Sequence, residues 1–421
     1  MKKMWIVACL AALALVAGCH KGGSSQNSTQ MRALNASVDS EPLDVLVDQD
    51  VKVSALAYGN TSAYSEFDSG SREVQVRSST NQSILSDKTI SFASGVQQTL
   101  LIYGHRAALQ SQLLADDTTA ISSGHLRVRI ANLAPDSGPV DLYITNGPFQ
   151  SSPVIISNAA YGSLTGSAEI SPGSLQITLT SAGTQDVLFQ STAQTFTAGD
   201  YYTILVLPSL GGKLVSAVLL TQGGDGVFLQ NPFARLKAVN DIPGTSLNFK
   251  VDGTSVLLNV PYSGTSSYVT SNSGTHTVAV EQSNVPGTVI GSTSTNLAAA
   301  RDYSVIATGS GTAATLTLLP DDNTLPNAGS AKIRFVNGLT SGDAVDVLLN
   351  FASQVQALPF VNQSSYYQVA PSTTYTITFT TQGGVSVLAT LTPVELDAGG
   401  VYTAYLLGPP DSATIRVVRD R

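Results

Sequence analysis

The sequence predicts an all-β protein built from four tandem antiparallel β-sandwich domains, and three observations predict it. One strand–turn–strand pattern occurs four times, at steps of 97, 108 and 97 residues. Within each copy, polar and apolar residues alternate with the period of two that half-buried strands show. Helical periodicity is nearly absent. Each unit of about a hundred residues holds about seven short strands with turn signals between them, which is typical of a sandwich.

The clearest copy of the pattern lies at residues 125–147. Residues 127–132 alternate as expected for a strand with one face on a core. One face carries Arg, Arg and Ala, and the other carries Val, Ile and Asn. Residues 135–139, Pro-Asp-Ser-Gly-Pro, form a turn, because Pro fixes φ and Gly permits positive φ. A second alternating run covers residues 140–144 and stops at Asn146-Gly147. The stretch therefore predicts the hairpin that opens each domain.

An Asn ends the first strand of every copy, at Asn35, Asn132, Asn240 and Asn337. An Asp follows nine residues later in three copies, at Asp44, Asp141 and Asp346, and the third copy has Asn248 after eight residues. Matching strands continue each copy, which places β-sandwich repeats at residues 30–117, 124–222, 231–322 and 329–421. Because contacts between linked domains are small by default, the short polar joints predict a semi-extended rod of four beads.

The hairpin of residues 127–144, Arg-Val-Arg-Ile-Ala-Asn-Leu-Ala-Pro-Asp-Ser-Gly-Pro-Val-Asp-Leu-Tyr-Ile, resembles the opening of domain-of-unknown-function family 4397 (DUF4397). That bacterial and archaeal family has a His or Asn, then Ala/Ser-Pro-Asp, then Pro-x-Val-Asp-Val-Tyr. Copy two matches best, copies one and four match in part, and copy three lacks the Asp. The resemblance implies immunoglobulin-like extracytoplasmic β-domains, often in tandem, with no established activity.

The first 29 residues are expected to be a targeting segment and a tether. Residues 1–18 join a basic start to an apolar run that is too short to span a membrane as a mature helix. The run ends in Leu-Val-Ala-Gly-Cys, which resembles the lipobox of bacterial lipoproteins and implies cleavage before Cys19 and acylation of that residue. Residues 19–29 then form a lipidated, Gly/Ser-rich tether. No Asp follows Cys19, which favours the outer membrane, on its periplasmic or its cell-surface side.

Composition narrows the classes of function. Without residues 1–18, 19 Lys and Arg face 29 Asp and Glu, so the formal charge is −10. An acidic chain argues against a nucleic-acid partner. Cys9 leaves with the signal, so the lipidated Cys19 is the one cysteine of the mature chain and no disulfide is expected.

Catalytic patterns are missing from the sequence. Of the four histidines, His20 lies in the tether, and His105, His125 and His276 occupy different places in different copies. No Gly-x-Ser-x-Gly, His-Glu-x-x-His or Walker motif occurs. Glu169 and Glu281 lie at different positions of their copies and form no defensible acid pair. We therefore expect no enzyme, no catalytic residues and no cofactor.

The recurrent Asp allows a functional and a structural interpretation. A carboxylate could bind a cation or a sugar hydroxyl, or it could accept N–H bonds from the preceding Pro/Gly turn. Asn248 in copy three can still accept a backbone bond but replaces a charge poorly, which favours the structural interpretation. The expected structural motif is therefore Asn35, Asp44, Asn132, Asp141, Asn240, Asn248, Asn337 and Asp346.

Tyr202, Tyr303 and Tyr402 resemble the tyrosine corner of Greek-key sandwiches, in which the hydroxyl bonds back to the chain. Gln98 stands at this position in copy one and departs from the pattern.

Acidic residues at two joints give a speculative metal site. Clustered oxygen ligands could hold Ca²⁺ and stiffen the chain. The candidates are Asp116, Asp117, Asp321, Asp322 and Asn323. The middle joint has a single Asp, and no Asp-x-Asp-x-Asp loop occurs.

These observations predict a membrane-anchored bacterial envelope lipoprotein that acts as a non-enzymatic binding, adhesion or structural module. Its expected partners are the lipid bilayer, through acyl groups on Cys19, and a protein or glycan that the sequence does not identify. Two alternatives stay open, a glycan-active enzyme or accessory subunit, and a mechanical spacer with no ligand.

Overall fold

The computed structural model describes residues 27–421, so the expected signal peptide, Cys19 and most of the tether lie outside the described residues. Within this range the regular elements are β-strands and three short 3₁₀ turns, Arg106–Ala108, Phe149–Ser151 and Pro410–Ser412. The strands form eight sheets of four or five strands. The predicted all-β class of tandem sandwiches is confirmed.

Repeats 1 and 2 contain eighteen strands. Repeat 1 has β1 (Ser28–Asn35), β2 (Leu43–Val47), β3 (Asp50–Leu56), β4 (Ser65–Asp68), β5 (Gly70–Ser78), β6 (Ile84–Phe92), β7 (Gln97–Tyr103) and β8 (Gln110–Leu114). Repeat 2 has β9 (Leu126–Asn132), β10 (Val140–Thr145), β11 (Ile156–Ala159), β12 (Ala168–Ile170), β13 (Gly173–Ser181), β14 (Val187–Gln190), β15 (Gln194–Phe196), β16 (Tyr201–Leu207), β17 (Ser216–Thr221) and β18 (Gly226–Leu229). Strand β18 extends repeat 2 into residues expected to form a joint.

Repeats 3 and 4 contain the remaining strands. Repeat 3 has β19 (Phe233–Asp241), β20 (Leu247–Val251), β21 (Thr254–Val260), β22 (Val269–Asn272), β23 (Gly274–Gln282), β24 (Val289–Leu297), β25 (Asp302–Ser310) and β26 (Ala313–Asp321). Repeat 4 has β27 (Ala331–Leu339), β28 (Val345–Leu349), β29 (Ala352–Leu358), β30 (Asn362–Gln363), β31 (Tyr367–Val369), β32 (Ser372–Thr381), β33 (Val387–Leu396), β34 (Val401–Gly408) and β35 (Thr414–Arg419).

Each repeat consists of two β-sheets packed face to face, and the two sheets contain different strands of the repeat. The sheet that holds the first strand of the repeat, here called the first-strand sheet, has the order β4-β1-β7-β8 in repeat 1. Its first strand pairs in parallel with a strand from near the end of the repeat, β1 with β7, β9 with β16, β19 with β25 and β27 with β34. The second sheet, here called the hairpin sheet, has the order β3-β2-β5-β6 in repeat 1 and is antiparallel throughout.

Every repeat has its own hydrophobic core between its two sheets. In repeat 2, Val128 and Ile130 of the first-strand sheet pack with Leu142, Ile177 and Leu179 of the hairpin sheet. These residues stand at alternate positions of their strands, as the period of two requires.

A second kind of core joins the repeats in pairs. Leu34, Leu101 and Tyr103 of repeat 1 belong to one buried cluster with Leu205 and Leu207 of repeat 2. The outer faces of the two first-strand sheets therefore pack on each other, and these sheets are buried on both sides. The expected rod of separate beads is wrong, because the face left apolar by each first-strand sheet is covered by its neighbour.

Repeats 3 and 4 form the second pair in the same way. Val239 and Ile306 of repeat 3 pack with Val336, Tyr405 and Leu407 of repeat 4. Asn35 and Asn240 are 205 residues apart, and so are Asn132 and Asn337. The chain is therefore a duplicated pair of sandwiches, which explains why the middle step between repeats is longer than the two others.

The two pairs touch through the loops of repeat 2. The Gly211 N–H donates to Ala300 O at 3.2 Å. The Arg421 guanidinium donates to Gly212 O and to Asn323 O, both at 2.8 Å. A Cβ on Gly212 would lie 2.2 Å from the Asn323 backbone, so the close approach of these two loops requires Gly at this position.

Candidate functional site

The Asn near the end of each first strand is fully buried, and both its side-chain oxygen and its amide nitrogen form hydrogen bonds within its own repeat. In repeat 2, the Ala134 N–H donates to Asn132 Oδ1 at 3.0 Å, and Asn132 Nδ2 donates to Ala159 O at 3.1 Å and Gly138 O at 3.0 Å. Asn35, Asn240 and Asn337 make the corresponding bonds to the residue two positions later and to the end of the third strand. This side chain fastens the start of each sandwich.

The recurrent Asp series braces a β-bulge. The backbone N–H groups of Ala55, Asn158, Asn259 and Ala357 donate to Asp44, Asp141, Asn248 and Asp346, at 2.7 to 2.9 Å. All four donors have a positive φ, between 49° and 56°, beside a shift in strand register. The oxygen of the side chain compensates part of that backbone strain.

The donors to this series differ from the expected ones. The preceding Pro/Gly turn was the expected donor, whereas the bulge in the adjacent strand supplies the first N–H. In repeats 2 and 4, the turns after β13 and β32 supply a second N–H, from Gly183 to Asp141 and from Gly383 to Asp346, both at 2.8 Å. Arg77 takes that place on Asp44. The carboxylates of this series are therefore already bound to residues of their own repeats.

The corner tyrosines bond back to the chain. The backbone N–H five residues earlier donates to the hydroxyl of Tyr202, Tyr303 and Tyr402 at 2.9 to 3.1 Å. Gln98 departs from the residue type but not from the contact, because its Oε1 accepts the Ala93 N–H at 3.0 Å, also from five residues earlier. An amide oxygen replaces the phenol oxygen here.

A basic residue stands three positions before each of the buried residues Asn35, Asn132, Asn240 and Asn337. This series was not predicted from the sequence. The series is Arg32, Arg129, Lys237 and Arg334, all nine-tenths or more buried between paired repeats. Each lies opposite a Thr or Ser of the parallel strand, at Thr99, Thr203, Ser304 and Thr403. The three arginines donate from Nε to that hydroxyl at 2.9 to 3.0 Å.

These basic side chains cross the interface reciprocally. Arg129 of repeat 2 donates to Ala115 O of repeat 1 at 2.7 Å, and Arg32 of repeat 1 donates to Thr221 O of repeat 2 at 3.3 Å. In the second pair, Lys237 forms an ion pair with Asp420 of repeat 4. Each of these first strands therefore contacts the end of a strand in the first-strand sheet of its partner, namely β8, β17 or β35.

The joint acids serve this interface. Asp321 is 2% exposed, pairs with Arg334 and accepts the Ser304 hydroxyl at 2.9 Å. Burial opposes ionisation, but the charges of Arg334 and Lys237 hold the pKa of Asp321 below its ordinary value. Asp322 pairs with Lys332 at 3.1 Å. The equivalent Asp117 accepts the Thr119 N–H at 3.0 Å, and burial raises the pKa of Asp116.

The joints therefore present no assembled calcium site. Asn323 is buried and donates to Asp302 at 2.7 Å. Within residues 27–421, no group of three or more His, Cys, Asp or Glu side chains is placed to hold a metal ion.

In the same range, no helix is long and apolar enough to cross a bilayer.

The histidines and the two glutamates are engaged separately. His105 lies between Asp136, at 3.3 Å, and Asp39, at 3.7 Å, and hydrogen bonds to these two carboxylates raise its pKa to about 10. His276 pairs with Asp252 at 2.7 Å, and the His125 ring contacts Ser123 O. His20 lies outside the described residues.

Glu169 pairs with Arg127, and Glu281 pairs with Lys250. They belong to different repeats, so they form no acid pair.

Asp136 belongs to the Pro-Asp-Ser-Gly-Pro turn of repeat 2 and joins three parts of the chain. It is 1% exposed. Besides His105 of repeat 1, its Oδ1 accepts the Leu325 N–H of the joint between repeats 3 and 4 at 2.8 Å. The turn that distinguishes copy two is thus a contact between the two pairs.

A cleft with a volume of about 650 Å³ opens between repeat 2 and repeat 3. Strands β13 and β14 and the loop before β17 form one wall, and β19 with the residues around β22 forms the other. Four glutamines line the first wall, at Gln150, Gln176, Gln185 and Gln190. Phe233, Arg235 and Tyr268 line the second wall.

The charges of the cleft are unevenly compensated. Arg235 forms a two-pronged ion pair with Asp302, at 2.9 Å from Nε, and its guanidinium lies 4.6 Å from the centre of the Tyr268 ring. Lys213 donates to the neutral Ser181 hydroxyl at 3.2 Å. Burial and the neighbouring Arg421 and Arg235 lower the pKa of Lys213. Asp186, at the rim, is exposed.

Sequence reasoning missed the cleft, because its two walls come from different repeats. The continuous apolar runs Leu-Leu-Ile-Tyr at residues 100–103 and Ile-Leu-Val-Leu at residues 204–207 did signal strands buried on both faces. No comparable signal marked Lys213, whose environment depends on the packing of repeat 3 against repeat 2.

The fold and these contacts define a tandem β-sandwich protein whose domains are paired through buried basic residues. The model of the family described as "Domain of unknown function (DUF4397)" matches residues 29–143 and 234–347, more than half of the chain. The chain belongs to this family, which confirms the resemblance found in the sequence. Each matched region starts in the first strand of a pair and ends in the opening hairpin of the second sandwich.

Other comparisons found distant likenesses. A product complex of the multi-modular glycogen-degrading pneumococcal virulence factor SpuA shares 10% identity, with 88% of this chain and 38% of that chain covered and a TM-score of 0.17. A variant of BcpA, the major pilin subunit of Bacillus cereus, shares 11% identity over 70% of this chain and 95% of that one, with a TM-score of 0.13. Among curated proteins, no sequence matches this chain.

Proposed function

We propose that the protein is a lipid-anchored lipoprotein of the bacterial cell envelope that acts as a non-enzymatic binding module. The Leu-Val-Ala-Gly-Cys sequence ending at Cys19 supports the anchor, and the Gly/Ser-rich tether supports display at a distance from the bilayer. Its partners are then the outer membrane, through acyl groups on Cys19, and a ligand held by the folded repeats.

The cleft between repeats 2 and 3 carries the binding part of the proposal. It joins several convergent polar groups to partly apolar walls, which is the usual character of a ligand site at a domain boundary. The loops of the two pairs touch at Gly211 and Gly212, so both walls belong to interlocked repeats. A mechanical spacer has no need of such a cleft. A glycosidase would need two acids on one site, and Glu169 and Glu281 are each engaged elsewhere.

Fractionation of cells that express the full chain or its Cys19→Ala variant tests the anchor. We expect the wild-type chain in the outer-membrane fraction, labelled by a palmitate analogue, and the variant in the soluble periplasmic fraction. Equal soluble fractions of the two chains would refute the anchor.

Proteinase treatment of intact cells then separates the two sides of the membrane. Digestion of the wild-type chain supports adhesion or ligand capture at the cell surface, and resistance supports a periplasmic binding role. A periplasmic protein of the same cells serves as the control for leakage.

A further inference from the structure

We propose that the cleft between repeats 2 and 3 binds an acidic oligosaccharide, with Lys213 taking the carboxylate of the sugar and the glutamines of repeat 2 taking its hydroxyls. This inference rests on the proposed role as a binding module and adds the chemical class of the ligand.

Lys213 provides the reason for a negative charge. Its ammonium is half-buried and donates to the neutral Ser181 hydroxyl, and it forms no ion pair with a carboxylate of residues 27–421. Burial, Arg421 and Arg235 oppose its charge, whereas Asp186 and Asp302 favour it from a distance without forming an ion pair with it. A partly desolvated cation beside two others is unfavourable unless an anion joins it. A carboxylate of the ligand would supply that anion.

Arg235 extends the positive wall. Its Nε and Nη2 bind Asp302, while Nη1 has no protein partner among the described residues. The Tyr268 ring holds the guanidinium in place from one side. Arg235 therefore offers a fixed second donor across the cleft from Lys213.

The amides select a sugar over a simple anion. Each glutamine side chain has both a donor and an acceptor, which matches neighbouring hydroxyl groups on a sugar ring. Gln176 and Gln190 stand on the adjacent strands β13 and β14, and the Gln190 amide is held by the Thr178 hydroxyl at 3.2 Å. Gln150 and Gln185 lie at the exposed end of the same wall.

The shape of the cleft also suits a short oligosaccharide. The half-buried side chains of Phe233 and Val187 give apolar surface for the C–H faces of sugar rings. The volume of about 650 Å³ lies in the range of roughly 300–1,000 Å³ that small-molecule sites occupy.

An extended peptide fits the cleft less well. Strand β14 is the edge of its sheet, so a peptide could in principle add to it. The carbonyl of Leu188 on that strand already accepts two hydrogen bonds. One comes from the Val215 N–H, at 3.2 Å, and the other from the side-chain amide of Asn231. The Leu188 carbonyl is therefore already used by Val215 of repeat 2 and Asn231 of repeat 3, and an added strand would have to displace them.

Isothermal titration calorimetry on the full mature chain carrying Cys19→Ala, which removes the lipid, tests the proposal. The probes are trigalacturonate as the acidic trisaccharide, maltotriose as the neutral one and triglutamate as an acidic peptide. We expect saturable binding of trigalacturonate that weakens as salt rises. Maltotriose and triglutamate should each bind at least about tenfold more weakly, a difference of about 1.4 kcal/mol.

Variants place the binding in the cleft. Lys213→Gln and Gln176→Ala should each weaken trigalacturonate binding about tenfold, and Lys213→Arg should keep most of it. Lys88→Gln and Gln110→Ala, in repeat 1, are the matched controls and should bind like the parent chain. Equal melting temperatures of parent and variants show that the losses arise at the site.

Three outcomes would overturn the acidic-sugar proposal. They are no saturation by trigalacturonate up to about 10 mM, equal or tighter binding of maltotriose or triglutamate, and full affinity in both cleft variants. Tighter binding of maltotriose or triglutamate that both cleft variants abolish would leave the binding module standing with another ligand. Cell fractionation tests the anchor without any ligand, so the two proposals fail separately.

Discussion

At the scale of single residues, the recurrent polar positions of this chain serve the fold. The buried Asn, the bulge-bracing Asp and the corner Tyr each accept a backbone N–H of their own repeat. Two substitutions between repeats support this interpretation, since Asn248 and Gln98 keep the acceptor while changing the side chain. A role that needed charge or a phenol ring would not tolerate them.

Replacing Asn132 with Ala should lower the free energy of unfolding by about 2 to 3 kcal/mol. The change leaves the Ala134 N–H and the Ala159 carbonyl without their partner in a fully buried place. Urea denaturation followed by circular dichroism measures the loss. Asn146→Ala, at an exposed turn, is the control and should change stability by less than about 0.5 kcal/mol. Equal stability of the two variants would contradict a fastening role for Asn132.

At the scale of elements, the first-strand sheets decide how the repeats associate. Their outer faces carry an apolar cluster and, beside it, the basic series with its partners. In the second pair, Lys237 and Arg334 are balanced by Asp321 and Asp420 in a buried network. The balance matters, because a buried charge without its partner costs several kcal/mol.

Replacing Arg334 with Met should destabilise the chain by about 3 to 5 kcal/mol, because Asp321 stays buried without its guanidinium. Adding Asp321→Asn should recover part of that loss, since the second change removes the stranded charge. Chemical denaturation of the single and double variants gives the coupling energy. Arg419→Met breaks the half-exposed pair with Asp397 and should cost less than about 1 kcal/mol. If Arg334→Met also costs less than about 1 kcal/mol, the buried ion pairs do not stabilise the interface as a network.

Asp241 should make the pairing of repeats 3 and 4 sensitive to pH. It is fully buried, its Oδ1 accepts the Gly408 N–H across the interface at 2.8 Å, and burial raises its pKa to about 8. A Cβ on Gly338 would lie 3.0 Å from its Oδ2, so Gly makes room for this carboxyl. The folded chain binds the proton more tightly than the unfolded chain. Stability should therefore be full below the ordinary carboxyl pKa and fall as pH rises through about 8.

Thermal unfolding between pH 5 and pH 9 tests this expectation. The Asp241→Asn variant should lose less stability than the parent as pH rises, because it carries no proton to release. The exposed Asp343→Asn is the control and should follow the parent chain. Parallel pH profiles of Asp241→Asn and the parent would show that Asp241 does not control the interface.

At the scale of the whole molecule, two paired bodies replace the expected beads. Each pair stacks four sheets, with the two first-strand sheets in the middle. The pairs then touch through Gly211, Gly212, Asp136 and the C-terminal Arg421. A ligand cleft can form between repeats 2 and 3 because these contacts hold the repeats together.

A fragment of residues 27–232 should be monomeric and unfold in one cooperative step, whereas residues 27–117 alone should self-associate. The single repeat exposes Leu34, Leu101 and Tyr103, which the second repeat otherwise covers. Size-exclusion chromatography with light scattering measures the association. Residues 233–421, the second pair, are the control and should behave like the first pair. A stable, monomeric fragment 27–117 would contradict pairing as a requirement of the fold.

Local patterns were enough to predict the sandwich class, the four repeats and the positions of Asn132 and Asp141 within them, because strand alternation and turn residues act over a few positions. The partners of Asp141 were not predictable, since the bulge donor Asn158 lies on the next strand and only the register of the two strands brings its N–H to the carboxylate. The same holds for Gln98, whose equivalence to tyrosine depends on the distance of one oxygen from the Ala93 N–H.

The sequence by itself determined the family, the β-sandwich fold and its fourfold repetition, because these depend on periodicity and composition within each unit. Only the tertiary structure decided that the repeats pair, that Arg129 and its equivalents are buried cations rather than surface charges, and that Lys213 lacks an ionic partner among the described residues. The physical reason is that an apolar outer face signals that a strand is covered but does not distinguish one covering surface from another. The difference arises from surfaces that lie a hundred or more residues apart in the chain.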